Sequence, residues 1–172
     1  MSARWVPIEE LSKEPYISVL CYPTPDLEEA LRRIQELKRL KIDFIVFEGR
    51  SQIGSLNVLG KGCVSIVVKA IAGDQLYALK IRRLDANRES MLREARLQSM
   101  ANEVNVGPIL KACSENFLVM DFVNGIAFTE WIRGLKGRGS VRRLREVLRD
   151  LLDQCRRLDS IGLDHGELSN LS

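Results

Sequence analysis

A chain of 172 residues with 45% hydrophobic and 28% charged residues and a formal net charge of +3 has the composition of a globular protein that buries one good core or two small ones, which excludes disordered and fibrous classes. No apolar run approaches the roughly 20 residues of a spanning helix, and Met1-Ser2-Ala3-Arg4-Trp5 lacks the apolar centre of a secretory signal, so a cytoplasmic location with no membrane partner is expected. Cys21, Cys63, Cys113 and Cys155 are too scattered for a Cys-x-x-Cys metal or redox site and are expected as reduced thiols.

In chain order, Tyr16-Ile17-Ser18-Val19-Leu20-Cys21 and Asp43-Phe44-Ile45-Val46-Phe47-Glu48 read as strands around a helix. Thr24 is the expected cap, Pro25 the first helical residue, and Leu27, Ala30, Leu31, Ile34 and Leu37 the apolar face. The connection is long enough for a parallel crossover. Residues 54–59, 64–70 and 75–81 read as three strands, with Ala72-Gly73-Asp74 a turn and a hairpin-rich antiparallel sheet the consequence. Residues 86–101 carry helix formers, and Phe117-Leu118-Val119-Met120 reads as a further short buried strand. Beyond Asn124-Gly125 the pattern is helical. Ser140 is the expected cap of a helix with Val141, Leu144, Val147, Leu148, Leu151, Leu152, Cys155 and Leu158 on a broad apolar face, preceded by a loop containing Gly134, Gly137 and Gly139. There is no internal repeat.

Several segments carry chemistry. A strand turn that approaches a triphosphate needs glycine, because a Cβ would block backbone contact, and Gly60-Lys61-Gly62-Cys63-Val64-Ser65-Ile66-Val67 supplies two. It lacks the Gly-Lys-Ser/Thr ending of a Walker A loop. On the next strand Lys80 follows Tyr77-Ala78-Leu79, and an ammonium flanked by Leu79 and Ile81 needs a phosphate or a carboxylate as partner. Two glutamates of the following helix compete for that role. Glu89 pairs with Arg93 at i,i+4 on a solvated face, whereas Glu94 lies among Met91, Leu97 and Ala101 and is the candidate partner of Lys80. Asp121-Phe122-Val123-Asn124-Gly125 follows the buried strand, and Asp164-His165-Gly166-Glu167-Leu168-Ser169-Asn170 holds the single histidine.

Together these segments, over about residues 54–170, resemble the protein kinase-like superfamily, closest to the small prokaryotic and archaeal Ser/Thr kinases of the RIO-like branch, whose helix motif Arg93-Glu94-Ala95-Arg96 resembles. The resemblance implies a kinase-like N-lobe and hinge (53–123) and a partial helical C-lobe (124–172), which with the N-terminal strand-helix-strand extension (1–52) read from the residue pattern make an α+β fold. It implies ATP and Mg²⁺ as ligands and an unknown protein as acceptor. Gly60, Lys61, Gly62, Val67, Ala78, Lys80, Met120, Asp121 and Val123 would then surround the nucleotide, with backbone groups of Asp121 and Val123 on the adenine edge. Lys80, Glu94 and Glu167 would be the catalytic set, and Asn170 the metal ligand.

The sequence departs from the pattern at named places. Ser65 stands for the third glycine, Glu167 for the catalytic aspartate, and no Asp-Phe-Gly segment follows. The expectation is therefore a portion of a longer kinase, inactive by itself. The alternatives are a pseudokinase-like nucleotide-binding or interaction module, or a kinase of small molecules. Residues 133–157 carry nine basic and three acidic side chains, a weaker signal for RNA or ribosomal contact than for a solvated helix face.

Overall fold

The computed structural model describes residues 4–87 and 89–163. It is an α+β structure with a mostly antiparallel sheet and five α-helices among the described residues. The chain divides into two compact units, one of residues up to Arg96 together with Pro108–Phe122, the other of Leu97–Gly107 together with the residues from Val123 onward.

In the first unit, β1 (Arg4–Pro7) leads through a 3₁₀ turn (Ile8–Ser12) and the one-turn helix α1 (Ile17–Leu20) to α2 (Leu27–Arg39) and β2 (Phe44–Phe47). The residues expected as a first strand thus form a helical turn. Tyr16, Ile17, Val19 and Leu20 are all buried while Ser18 between them is not. That spacing fits a helix better than strict alternation, and local bonds from Val19 and Leu20 N–H to the Tyr16 carbonyl close it. The extension is still strand, helix, strand, but its first strand is β1, which pairs antiparallel with β2, and there is no parallel crossover.

Helix α2 also starts later than expected. Asp26, not Thr24, is its N-cap, with Oδ1 accepting from Glu29 N at 2.9 Å, and Glu28 and Glu29 favour the N-terminal end of the dipole. Its buried stripe is Ala30, Arg33, Ile34 and Leu37, while Leu27 and Leu31 stay exposed.

The hairpin β3 (Ser51–Ile53) and β4 (Leu56–Val58) replaces the single strand expected at 54–59, because Gly54, at φ +55°, turns the chain there. Then follow β5 (Gly60–Lys61), β6 (Ser65–Ala72), β7 (Gln75–Arg82), α3 (Leu92–Glu103), β8 (Leu110–Cys113) and β9 (Phe117–Asp121). The expected start of α3 at 86 fails because Arg83 to Ala86 make a turn, Ala86 N–H bonding the Arg83 carbonyl. Strand β8 carries only Leu110 and Ala112 as apolar residues and had no clear pattern.

The main sheet has the order β1-β2-β6-β7-β9-β8, and β5 also pairs with β6. The outer edge of β6 is therefore shared, its first half pairing with β5 and its second half with β2. On the sheet face towards α2, Ile66, Val68, Leu79, Ile81, Phe117 and Val119 are fully buried in a core that continues through Ile34, Leu37 and Leu20. Burying such side chains contributes roughly 1.5–3 kcal/mol each. The segment between β1 and β2, residues 8–43, is thus the cover of this face and completes its core.

The second unit contains α4 (Phe128–Gly134) and α5 (Ser140–Ser160). Ser140 is the first helical residue instead of the cap, its hydroxyl donating to the Gly137 carbonyl at 2.9 Å. Arg157 Nη1 donates to the carbonyls of Val104 and Asn105 at 2.8 and 3.2 Å, in the turn just past the C-terminal end of α3. On the long apolar face of α5, Leu158 is buried and Val141, Leu148 and Leu152 are exposed. No helix among the described residues is long and apolar enough to cross a membrane.

Candidate functional site

The sheet face opposite α2 is where the chemistry-bearing residues meet. Strand alternation puts Leu79 and Ile81 into the core, so Ala78 and Lys80 point the other way. The pairings Gly60 with Val67, Val67 with Lys80, and Lys80 with Leu118 define one row across β5, β6, β7 and β9. A second row, Lys69, Ala78, Met120 and Leu110, lies beside it. At a strand spacing of about 4.8 Å, Lys80 lies roughly 10 Å across the sheet from Gly60, a separation that a phosphate chain can span.

Lys80 meets Glu94. Its Nζ donates to Glu94 Oε1 at 2.5 Å, with the lysine and glutamate side chains 31% and 19% exposed. A short charge-assisted bond between partly buried groups is worth more than a surface pair, because less solvent screens it. Helix α3 supplies the carboxylate because Met91 and Ala95 pack against Leu118 and Met120, with Ala78 beside them. This packing leaves Glu94 directed at the sheet. Glu89 lies ahead of the helix, so its expected i,i+4 pairing with Arg93 on a helical face does not arise.

The glycine turn links β5 to β6, with Gly62 N–H donating to the Ser65 carbonyl at 2.9 Å around Cys63 and Val64. Neither glycine is required by its own surroundings. Both φ angles lie outside the left-handed region, and an added Cβ would meet Val67 only at 3.9 Å from Gly60 and the Ser65 carbonyl at 3.5 Å from Gly62. The contrast is Gly49, at φ +130°, where a Cβ would fall 2.2 Å from the Val58 carbonyl oxygen. Gly49 serves the fold, whereas Gly60 and Gly62 leave clearance above the turn.

Around the turn stand residues with no signal in the sequence. Arg83 donates from Nη1 to the Gly62 carbonyl at 2.7 Å and forks onto Asp85 at 2.8 and 2.6 Å, while its backbone N–H bonds the Val64 carbonyl. The hydrogen bond from Arg83 holds the Asp85 carboxyl below its ordinary range and raises that of the guanidinium. Lys61 Nζ and the Arg83 guanidinium lie 4.7 and 4.8 Å from the centre of the Tyr22 ring, so Lys61 is turned to an aromatic face.

Met120 and Asp121 end β9. The Asp121 N–H donates to the Ile109 carbonyl at 2.9 Å, so a ligand edge meeting this residue's backbone could use only its carbonyl. The Asp121 carboxylate pairs with Lys111 at 3.1 Å. Val123 belongs to the second unit and is 67% exposed. Lys69 pairs with Glu48, and its Nζ lies 4.3 Å from the Phe122 ring centre. His165, Glu167 and Asn170 lie outside the described residues. Among the described residues no group of three His, Cys, Asp or Glu side chains is spaced to hold a metal ion.

A second polar cluster, on the other side of the sheet, was not anticipated. Arg33 is fully buried, donating to Glu29 Oε1 at 2.8 Å, to the Leu20 and Arg82 carbonyls at 2.7 Å each, and to Asn116 Oδ1 at 3.1 Å. Glu36 accepts from Ser114 Oγ at 2.5 Å, Asn116 N at 3.1 Å and Asn116 Nδ2 at 2.6 Å. A cation among Ala30, Ile34 and Leu37 was a sequence signal for Arg33 of the same kind as Glu94 among its apolar neighbours. No family model matches the chain, and no curated protein matches it.

Proposed function

We propose that the first unit is a kinase-like nucleotide-binding lobe and that the protein is an ATP-dependent Ser/Thr protein kinase or a portion of one. The single observation that carries this reading is the bond at 2.5 Å between Glu94 and Lys80, the lysine standing on the second strand after a glycine turn, in a sheet row that also contains Gly60 and Val67. Kinases use such a lysine, held by a helix glutamate, to orient the phosphates of ATP. Glu94 fixes the direction of the ammonium, and the clearance above Gly60 and Gly62 lets phosphate oxygens approach the backbone of the turn closely. Val67 and Ala78, both partly exposed, offer an apolar surface on the same face to a nucleobase, with Met120 buried beside Ala78. Mg²⁺ would enter as the ion that accompanies ATP and neutralises its phosphate charge. Glu167, by its place in the sequence, is the candidate that positions the acceptor hydroxyl.

Isothermal titration of Mg-ATP into wild type and Lys80→Ala tests the reading. Loss of one charge-assisted phosphate contact should weaken affinity by about tenfold or more. Equal affinities in the two proteins would remove Lys80 from the site. Transfer of labelled γ-phosphate to a protein acceptor supports a kinase, whereas Mg-ATP binding with no transfer by the full-length gene product assigns the non-catalytic, pseudokinase-like alternative.

A further inference from the structure

We propose that Glu36, backed by Arg33, is a positioning residue that holds α3 where Glu94 reaches Lys80, so that the N-terminal extension sets the nucleotide grip without touching the nucleotide. The assignment deepens the reading given above and rests on it. The link runs through the turn between β8 and β9. Glu36 binds three donors of that turn, Ser114 Oγ, Asn116 N and Asn116 Nδ2. The Ser114 N–H closes the turn onto the Phe117 carbonyl at 2.8 Å. Between Ser114 and Asn116 the carbonyl of Glu115 accepts the N–H of Met91 at 2.8 Å. Met91 is the fully buried residue that enters α3, and Glu94 follows it within one turn.

Asn116 ties the same turn to the lysine strand. Its Oδ1 accepts from Arg82 Nε at 3.0 Å and from Arg33 Nη2 at 3.1 Å, and its carbonyl accepts the Arg82 N–H at 2.8 Å. Arg82 is two residues from Lys80 on β7. The turn therefore touches both the strand that carries the lysine and the helix that carries the glutamate, and Glu36 is the carboxylate that fixes it. Asn116 is nearly fully buried, so loss of Glu36 would leave its amide with an unmet donor in the interior, a situation that drives rearrangement. Glu36 does not border the row of Gly60, Val67 and Lys80, and belongs to the opposite side of the sheet with α2.

The test compares Glu36→Ala with Ile34→Ala, a core truncation two residues away on the same helix that loosens α2 without removing a bond to the 114–116 turn. Two readouts are taken on the whole chain: Mg-ATP affinity by titration and amide exchange of the first turn of α3, where Ala95 N–H bonds the Met91 carbonyl. Glu36→Ala is expected to weaken affinity about tenfold and to speed exchange at Ala95 by a similar factor, while Ile34→Ala changes each by less than about twofold. Wild-type values of both readouts in Glu36→Ala, or equal shifts in Ile34→Ala, would overturn the proposal. Should Glu36→Ala not fold, Glu36→Gln, which keeps one acceptor oxygen, is expected to show a smaller loss in the same direction, and no loss would overturn it. If wild type does not bind Mg-ATP, the nucleotide reading fails by itself and exchange at Ala95 still decides the mechanical link.

Discussion

Lys80 and Arg33 both stand where their neighbours are apolar, and each is met by a carboxylate from a helix, Glu94 for the one and Glu29 for the other. Their surroundings then differ. Arg33 is fully buried and its donors also meet protein carbonyls and Asn116, so it is a structural cation. Lys80 is about a third exposed and can still gain a ligand. Cys21 makes a third contrast at this scale. Burial pushes its thiol above the ordinary range, and its Sγ donates to the Asp26 carbonyl at 3.5 Å. The unfolded chain thus releases this proton first as pH rises, so the stability held by the neutral buried thiol declines through the alkaline range of a free thiol. Cys63 and Cys113 are exposed. Alkylation at pH 8 followed by peptide mass spectrometry should modify Cys63 and Cys113 freely and Cys21 about a hundredfold more slowly. Equal rates would mean that the α1–α2 segment opens readily.

Elements differ in what their glycines do. Gly49→Ala forces a Cβ into the Val58 carbonyl at a positive φ and should destabilise the protein by about 2 kcal/mol or more. Gly62→Ala meets only an ordinary contact, so its unfolding free energy should stay within about 0.5 kcal/mol of wild type. Its Mg-ATP affinity should nevertheless fall by about fivefold or more, because the methyl group occupies the clearance above the turn. Urea unfolding and titration of both variants separate the two roles, and wild-type affinity in Gly62→Ala would remove the turn from the phosphate site. The strands β6, β7 and β9 were legible because their apolar residues and Gly-Asp turn speak locally. So was the choice of Glu94, since an acid on an apolar stripe demands a partner. The α1 turn was misread because five apolar residues around Ser18 suit strand and helix alike, and β8 has too few apolar residues to announce itself. Arg83, Tyr22 and Asn116 carry no local signal, because their partners lie far along the chain.

At the scale of the molecule, the described part of the extension is the cover of a sheet face and not an appendage. Ile66, Val68, Leu79, Ile81, Phe117 and Val119 share one core with Leu20, Ile34 and Leu37. A chain beginning at Phe44 would expose that face and should lose cooperative thermal unfolding by calorimetry, or precipitate. A sharp transition in such a chain would show that the sheet stands alone. Gly60, Val67, Ala78, Lys80 and Met120 share rows on the other face, which is why the role of residues 4–43 could not be read before the strands were paired.

The Asn116 cluster also orders events in time. Lys80 and Glu94 are 14 residues apart, whereas Glu36 and Asn116 are 80 apart, and closing the longer loop costs about 1.5 kcal/mol more in chain entropy. On a growing chain the cover helix must wait for the 114–116 turn to be synthesised before its carboxylate finds a donor. The lysine strand and its helix can meet locally in the meantime, and the distant clasp then closes over a pair already in register.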